Sequence, residues 1–531
     1  MGFKNTLPNV QRKLVCFKIK VERMNVLNRN FKKVCSILLS AIICISTTSV
    51  CFAESNMKID ESKTIKEIDR IMYGINQEWS VTNQSYYLKG SSLEIGEQFI
   101  NCYKNSIGLA RMAGTSSDWV KWKNNMGPLQ DRKANRLWGI TDIVRYGMVE
   151  WLKSIQVADP DAKFTYVVNI ISDSYENMAD AIEFLVGDGI TNPNGGINWG
   201  KVRIESGVKE PADIFVYEIG NETDTTGGGG LSLDEYIKRA KEAIAVIRSV
   251  DRNAKIAVHN KTGNITTSYD YYDHRLLQEL GDQIDYLSVH GYYLPNEDPD
   301  RIGKVSFIDH VRRIGRMENS IRKITGSDRI KIYQSEHAGG RYNSDTTAGY
   351  DFVVPHTMMG TMETAEWFLR MMWHPLIEAS TYHSTHSSSW CIAYPEDGEI
   401  KMSAIGNLLQ LMLKYGTGEV YHSELDGFKY EEMAAVIGQA VKNEEGLTVI
   451  LVNKKDIPET INFTFNNKYK VKNVAYIQSD DYKADNYIGS KGINVIWNAE
   501  VPEGEFSSYT LDKYSVTFIT LEEIGEKVVS E

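Results

Sequence analysis

The sequence predicts an α/β protein, a (β/α)8 TIM barrel followed by a C-terminal antiparallel β-sandwich. Eight short apolar runs alternate with amphipathic stretches between residues 71 and 416. The runs are nearly continuous in apolar residues, which is typical of parallel strands buried on both faces. After Gly416, short β-rich segments follow one another without a helical pattern, which favours a sandwich. An open, doubly wound sheet is the alternative for the first part.

The eight runs are the predicted barrel strands. They lie at residues 71–76, 107–112, 164–170, 214–222, 255–260, 284–292, 330–337 and 379–385. Apolar residues at helical spacing predict helices between and after them, at 141–156, 232–250, 363–373 and 401–416. Ser232 and Glu235 have the spacing of a capping box, and Gly416 is a typical helix end. Strands alternating with helices over this length predict a closed barrel.

The N-terminus has the pattern of a leader. Basic residues precede the apolar run from Ile37 to Ile45, and small residues follow up to Ala53. This order is typical of a secretory signal peptide, and the run is shorter than the ~20 residues of a membrane span. We therefore expect a signal peptide over residues 1–53 and a secreted, extracellular protein. A strand at 54–70 is expected to join the sandwich at 417–531, with the barrel at 71–416.

Charge and cysteine content limit the partners. The first 53 residues hold nine Lys/Arg and one acid, which leaves 50 Lys/Arg against 69 Asp/Glu, a formal charge of −19, in the rest. Such a surface repels nucleic acid and anionic lipid, so neither is expected to bind. Cys102 and Cys391 are the two cysteines beyond the leader. They are compatible with one disulfide between them or with two free thiols. Homo-oligomerisation stays open as well.

Polar and aromatic residues gather at one end of the predicted barrel. The C-terminal ends of the strands form the active-site face of this fold. The residues at or just beyond these ends are Asn76, Trp79, Arg111, Asn169, Asn221, Glu222, His290, Tyr292, Glu336, His337, His383 and Trp390. The strand interiors are almost entirely apolar, so this concentration indicates a functional site.

Two of these residues are carboxylates on opposing strands. Glu222 ends strand four and Glu336 ends strand seven. A carboxyl pair facing across a barrel mouth can cleave a glycosidic bond, since one group protonates the leaving oxygen and the other attacks the anomeric carbon. Arg111, Asn221 and Tyr292 are available to make the environments of the two carboxyl groups differ. The pair predicts a glycoside hydrolase with a carbohydrate substrate.

Metal chemistry is the competing prediction. His383 and His386 have a spacing that suits a metal ion, but no third ligand pattern such as HExxH accompanies them. A metal-dependent barrel hydrolase would also have His-x-His near the end of strand one, which here reads "GINQE". We therefore expect neither a metal nor another cofactor.

Several motifs resemble one enzyme family. "GNE" at the end of strand four and a Glu at the end of strand seven resemble the clan A retaining glycoside hydrolases. The motifs "KTIKEIDRIMYGIN", "IGLARMAG", "YVVNI", "GNETD" and "YLSVHGYY" occur in the order found in the family 51 α-L-arabinofuranosidases. The resemblance covers roughly residues 57–525 and implies Glu222 as acid/base, Glu336 as nucleophile and Asn221 on the sugar 2-hydroxyl.

The resemblance also implies the residues around the sugar and leaves the substrate open. Arg111, Asn169, His290 and Tyr292 would line the sugar site, and Trp79 and Trp390 are the aromatic candidates for stacking on it. The sequence "YQSEHAGG" around Glu336 departs from the family's Asp-Glu-Trp. An endo-glycanase of the same clan and a non-catalytic carbohydrate-binding barrel therefore remain alternatives to an arabinofuranosidase.

Overall fold

The computed structural model describes the chain beyond the predicted leader. The described residues are 53–80, 87–137, 139–261, 269–293, 307–339, 353–385, 390–426 and 434–525. The predicted leader apart from Ala53, and His386 of the predicted metal pair, lie outside them. Strands and helices are numbered in chain order.

Eight parallel strands form the barrel. They are β2 (Gly74–Glu78), β3 (Leu109–Ala113), β6 (Lys163–Val168), β7 (Ile214–Ile219), β8 (Ile256–His259), β9 (Tyr286–Tyr293), β10 (Lys331–Gly339) and β11 (Ile377–Tyr382). The sheet closes in the order β10-β11-β2-β3-β6-β7-β8-β9. The predicted TIM barrel is therefore confirmed, and an open sheet is excluded. The first strand begins at Gly74, later than predicted, because Arg70–Tyr73 forms a 3-10 turn capped by Asp69.

Helices surround the barrel strands. They are α1 (Glu97–Cys102), α2 (Met148–Ala158), α3 (Tyr175–Val186), α4 (Trp199–Glu205), α5 (Leu233–Val250), α6 (Tyr269–Leu280), α7 (Phe307–Thr325), α8 (Met358–Met371) and α9 (Ala404–Tyr415). The Ser232 hydroxyl accepts from the Glu235 N–H at 3.3 Å and begins α5, as its spacing predicts. The helix predicted from residue 141 begins only at Met148, because residues 141–143 form a short strand.

The C-terminal part is an antiparallel sheet of nine strands. They are β1 (Ala53–Ile68), β14 (Gly418–Leu425), β15 (Val436–Asn443), β16 (Gly446–Asn453), β17 (Glu459–Thr464), β18 (Tyr469–Gln478), β19 (Asn494–Ile496), β20 (Ser508–Leu511) and β21 (Ser515–Glu523). Their order is β19-β18-β21-β16-β15-β14-β1-β17-β20. The N-terminal strand β1 pairs with β14 and so belongs to this sheet. Two hairpins complete the described strands, β4 (Ala134–Arg136) with β5 (Thr141–Ile143) and β12 (Ala393–Glu396) with β13 (Glu399–Met402).

Aromatic side chains fill the barrel below its mouth. The ring of Phe215 lies 5.0 Å from that of Tyr286 and 5.8 Å from that of Tyr333, centroid to centroid. All three belong to a small buried apolar cluster. This packed layer supports the polar residues at the C-terminal ends of the strands.

Both cysteines beyond the leader are free thiols, with Cys391 buried and Cys102 half-buried. The open question of a disulfide between them is therefore answered. Among the described helices, none combines the length and the apolar character that a bilayer span requires.

A buried ionic cluster joins α8 to the C-terminal sheet. Glu366 on α8 is fully buried and accepts from Arg370 Nε at 2.8 Å and Nη2 at 2.5 Å. Lys454, directly after β16, lies with its Nζ 2.6 Å from the other oxygen of the same carboxylate. Removing Glu366 would leave two buried cations without their shared anion.

We expect Glu366→Gln to destabilise the folded chain by about 3–5 kcal/mol, the usual effect of breaking a buried ion pair. The measurement is urea denaturation followed by tryptophan fluorescence. Glu205→Gln is the control, because Glu205 lies 3.8 Å from Lys201 with both side chains about two-thirds exposed. That pair should contribute less than about 1 kcal/mol. Equal shifts in the two variants would contradict the role given to Glu366.

Candidate active site

The side chains of β9 and β10 reach the barrel mouth through different local geometry. Along β9, His290 and Tyr292 follow Tyr286 at even spacing and face the barrel interior. Strand β10 starts in the same way with Tyr333 inside, but its register against β9 shifts between Tyr333 and Glu336. The extra residue inverts the alternation of side chains. Glu336 therefore turns into the barrel mouth.

A fully buried arginine connects four barrel strands at the mouth. Arg111 on β3 donates from Nε to Glu218 of β7 at 2.6 Å and from Nη1 to Glu336 of β10 at 2.8 Å. It also donates to the side-chain oxygens of Asn76 at 3.0 Å and Asn221 at 2.8 Å. The Asn76 amide in turn donates to two backbone carbonyls at 2.9 and 3.2 Å. One guanidinium thus sets the positions of two carboxylates and two amides.

The backbone turns sharply where Glu222 follows β7. Gly220 has φ +72°, and Glu222 itself has φ +50°, a left-handed conformation that costs energy for a residue with a Cβ atom. The glycine-rich segment folds back onto this turn, and a Cβ at Gly228 would lie 2.3 Å from the Glu222 carbonyl oxygen. The Thr225 hydroxyl donates to the same carbonyl at 2.8 Å. Close packing therefore requires glycine at position 228.

A buried carboxylate holds the residue before Glu222. The two oxygens of Asp118 lie 3.1 and 3.3 Å from the backbone nitrogen of Asn221, which donates to them. Asp118 is fully buried, and burial raises its pKa well above the ordinary value. Next to it, Trp119 Nε1 donates to the Gly227 carbonyl at 2.8 Å. The segment after β3 thus fixes both ends of the turn that carries Glu222.

The two glutamates predicted to form a pair meet at His290. One oxygen of Glu222, one oxygen of Glu336 and a ring nitrogen of His290 lie within 4.8 Å of one another. His290 Nδ1 is 2.7 Å from Glu222 Oε1 and 3.4 Å from Glu336 Oε2. Carboxyl groups of retaining glycosidases are about 5–5.5 Å apart, whereas inverting enzymes need about 6.5–9.5 Å. The spacing suits a pair in which one carboxylate attacks directly.

Electrostatics keeps Glu336 ionised. Burial alone would raise its pKa, but His290, His383 and Arg111 outweigh burial and hold the pKa of Glu336 well below the ordinary value. The Tyr292 hydroxyl donates to Glu336 Oε2 at 2.5 Å. Burial, followed by the nearby carboxylates, raises the pKa of Tyr292 well above its usual range, so it stays a neutral donor.

The same carboxylates act on His290 in the opposite direction. Burial lowers the pKa of this imidazole, but Glu336 and Glu222 outweigh burial and raise it above 6.5. The neighbouring His259 differs, because burial and His290 lower its pKa. The two carboxylates therefore favour the protonated form of His290.

One side of the mouth is aromatic. The ring of half-buried Trp390 lies 5.3 Å from that of Tyr292 and 5.0 Å from that of His383. His383 Nδ1 is 3.9 Å from Glu336 Oε2, and His383 Nε2 is 3.7 Å from Glu78 Oε1. Trp390 and His383 therefore adjoin the carboxylate pair, and their contact with a sugar stays a prediction.

Three predicted site residues point elsewhere, and their assignment is corrected. His337 faces away from the barrel mouth because of the inverted alternation in β10, and its ring stacks on Trp367 of α8 at 4.1 Å. Asn169 uses its amide on its own loop, donating to the Val120 carbonyl and Ser172 Oγ at 3.1 Å each. Trp79 is buried in the main apolar core, and its Nε1 donates to a serine hydroxyl at 3.1 Å.

Four more residues lie at the site. The sequence places Glu78 and His259 at strand ends without giving them a role, and it does not single out Glu218 or Asp118. Glu218 is detectable, because it stands two residues after Val216 on β7 and so faces the same way. His259 and Glu78 stand at strand ends like the residues that were selected. Asp118 has no such signal, since it belongs to the loop after β3 and meets Asn221 only in the folded chain.

Two groups of described residues have ligand atoms close enough to hold a metal ion. One is Glu218, His259 and His290, and the other is Glu222, His290 and Glu336. Arg111 is already bonded to a carboxylate of each group, at 2.6 and 2.8 Å, so a metal ion would lie beside a guanidinium. These donor sets fit a metal poorly, and the expectation of no metal and no cofactor stays a prediction.

Comparison with known proteins identifies relatives in sequence. A family model described as "Alpha-L-arabinofuranosidase 1 domain" matches residues 108–313. An intracellular exo-α-(1→5)-L-arabinofuranosidase of Streptomyces lividans is 24% identical over 235 residues, which cover 44% of this chain and 32% of that protein. The protein of the same name from Acetivibrio thermocellus is 24% identical over 273 residues, covering 48% and 52%. The chain thus spans a third to a half of the length of these relatives.

The fold has solved counterparts as well. The α-L-arabinofuranosidase of Thermotoga maritima, solved with arabinose, superposes with a TM-score of 0.74 at 18% identity, covering 88% of this chain and all of that one. The fold is therefore that of these enzymes, a barrel with a β-sandwich. Together with the sequence relatives, this confirms the resemblance to clan A and family 51 that the motifs indicated.

The same relatives contradict the predicted location. Both are named intracellular. The prediction of a secreted, extracellular protein, made from the composition of residues 1–53, is therefore wrong.

The pKa of His290 can be measured by NMR of the histidine rings, with His290→Gln for assignment. We expect a value above 6.5 in the native protein, and a lower one in Glu336→Gln, since a neutral amide no longer stabilises the imidazolium. Glu424→Gln in the sandwich is the control and should leave the resonance unchanged. Because the folded-state pKa is raised, this group stabilises the fold below pH 6.5 and loses that effect as the pH rises through the folded-state value. A native value at or below 6.5 would refute the proposed charge on His290.

Proposed function

We propose that this chain, a clan A protein similar to the family 51 α-L-arabinofuranosidases, is a retaining glycoside hydrolase. The observation that carries the proposal is the approach of Glu222 and Glu336 within 4.8 Å at the barrel mouth, bridged by His290. The catalytic domain is the barrel at 71–416. Residues 54–70 and 417–531 form the supporting sandwich. The substrate is a carbohydrate.

Glu336 is the nucleophile in this proposal. Its carboxylate stays ionised at neutral pH, because its pKa lies well below the ordinary value. Arg111 and Tyr292 each donate to one of its oxygens and so keep the carboxylate aimed across the barrel mouth. An oxygen of Glu336 attacks the anomeric carbon, and the bond from that carbon to the leaving oxygen breaks.

Glu222 is the acid/base. It is the more exposed of the two carboxylates, with 22% of its side chain accessible against 5% for Glu336. His290 Nδ1 shares a proton with it across 2.7 Å, and this proton passes to the leaving oxygen. In the second step Glu222 takes a proton from water, the water oxygen bonds to the anomeric carbon, and the ester bond to Glu336 breaks.

The remaining polar groups have supporting roles. Asn221, held by Arg111 and Asp118, binds the sugar 2-hydroxyl. Asn76 lies beneath the sugar and orients Arg111. His383 and Trp390 form the wall on which the sugar packs. The sugar is α-L-arabinofuranose, since the relatives in sequence are named exo-arabinofuranosidases.

The first test is a panel of 4-nitrophenyl glycosides, with arabinan and xylan as polymers. We expect cleavage of the α-L-arabinofuranoside, a loss on the order of 10⁵–10⁶-fold in kcat for Glu336→Ala and about 10²–10⁴-fold for Glu222→Ala. With a dinitrophenyl leaving group, which needs no protonation, the Glu222→Ala loss should shrink. Azide should then accelerate this variant and yield a glycosyl azide, because a small anion can replace water without base assistance.

Glu424→Gln is the matched control, a glutamate with 68% exposure on the sandwich. It should retain the wild-type rate. Wild-type rates in both alanine variants would disprove the catalytic pair. Binding of the sugars without any hydrolysis by the wild-type protein would favour the binding-barrel alternative. Cleavage inside unbranched chains, with no activity on arabinofuranosides, would instead favour the endo-glycanase of the same clan.

The stereochemical course is a separate prediction. Hydrolysis in the presence of methanol should give a methyl glycoside with the anomeric configuration of the substrate, because the glycosyl group is displaced twice. The measurement is proton NMR of the methyl glycoside, whose anomeric configuration does not change after it forms. A methyl glycoside of inverted configuration would show that the acceptor attacks the substrate directly, and it would be incompatible with Glu336 as nucleophile.

A further inference from the structure

Besides the barrel mouth, the protein has a cavity next to the loop that follows Glu222. Its volume is about 560 Å³. It is lined by Thr115, Trp119, Arg136, Leu137, Gly139, Ile140, Thr141 and Gly227. The hairpin β4–β5 forms one wall, and the loop after Glu222 forms another.

The cavity lies on the acid/base side of the site. Gly227 follows Glu222 by five residues, and its carbonyl accepts from Trp119 Nε1 at 2.8 Å. At the other end, Thr115 follows Gly114, whose Cβ position would lie 3.8 Å from the Glu78 carboxyl. If Glu222 protonates the leaving oxygen, the departing sugar residue is on this side. The inference therefore rests on the proposed function.

Arg136 is the charged residue among those that line the cavity. Its guanidinium carbon lies 3.8 Å from the centroid of the Trp119 ring. Within the part of the chain that the structure describes, no hydrogen bond or ion pair engages this side chain. Asp142, the acid on the same hairpin, stands opposite Asn135 in the register, and its carboxylate accepts from the Ile143 N–H at 2.7 Å.

This arrangement suits an anionic group. Stacking on Trp119 holds the guanidinium plane in place and leaves the N–H donors at its edge available, and this donor fork matches a carboxylate. Ile140, which is 50% exposed, supplies an apolar surface for the C–H face of a sugar ring. We propose that this cavity binds a hexuronate residue on the leaving-group side of the substrate.

The test compares digalacturonate with its dimethyl ester, which has the same skeleton without charge. Calorimetry on the wild-type protein should show at least tenfold tighter binding of the free acid. Arg136→Gln should abolish the difference, and Arg136→Lys should retain part of it, because an ammonium keeps the charge but not the two parallel donors. Digalacturonate should also inhibit aryl glycoside hydrolysis more strongly than the ester does.

Arg252→Gln is the control, since Arg252 is also an exposed arginine, in the loop after α5. It should change neither hydrolysis nor the preference for the acid. Equal binding of acid and ester, or a preference that survives Arg136→Gln, would overturn the inference. Calorimetry measures binding in the cavity without catalysis. An inactive protein that still prefers the acid would therefore refute the proposed function alone. An active protein without the preference would refute the uronate site alone.

Discussion

The barrel mouth is organised by the need to compensate one buried positive charge. Arg111 is fully buried, so its N–H groups must find acceptors within the protein. It finds them in Glu218, Asn76, Glu336 and Asn221. The partners come from β2, from β10 and from the end of β7 with the turn after it, so a displaced strand would leave a charge or a donor unpaired. The position of the proposed nucleophile is therefore a consequence of charge compensation in the core.

The register shift in β10 is a β-bulge, and the pairing of Arg111 with Glu336 depends on it. Without the register shift after Tyr333, regular alternation would turn Glu336 outward and His337 into the barrel. The irregular strand gives Arg111 its second carboxylate and places the imidazole of His337 against Trp367 instead. Burial lowers the pKa of His337 well below its usual range, which suits a neutral ring in an apolar contact.

These facts explain which parts of the site the sequence could predict. Strand number and strand ends follow from local hydrophobic patterns, and they led to Glu222 and Glu336. The bulge depends on pairing between strands, so the direction of His337 could not be predicted. Asp118 was missed because its partner is distant in sequence. The prediction of a secreted protein failed for another reason. It depended on a basic stretch before a short apolar run, which is a pattern of composition and not of folded contacts.

The charges around the reacting centre suit the proposed reaction. Glu218 and Glu336 accept from the same Arg111 guanidinium at 2.6 and 2.8 Å, and His290 lies 3.4 Å from Glu336. His290, His383 and Arg111 together outweigh burial and lower the pKa of Glu336, so this carboxylate stays negative in a largely buried site. The transition state of glycoside cleavage resembles an oxocarbenium ion, and a carboxylate beside it stabilises it more than the neutral ground state. Arg111 and His290 therefore serve the proposed reaction through Glu336, because they hold this carboxylate ionised and in place.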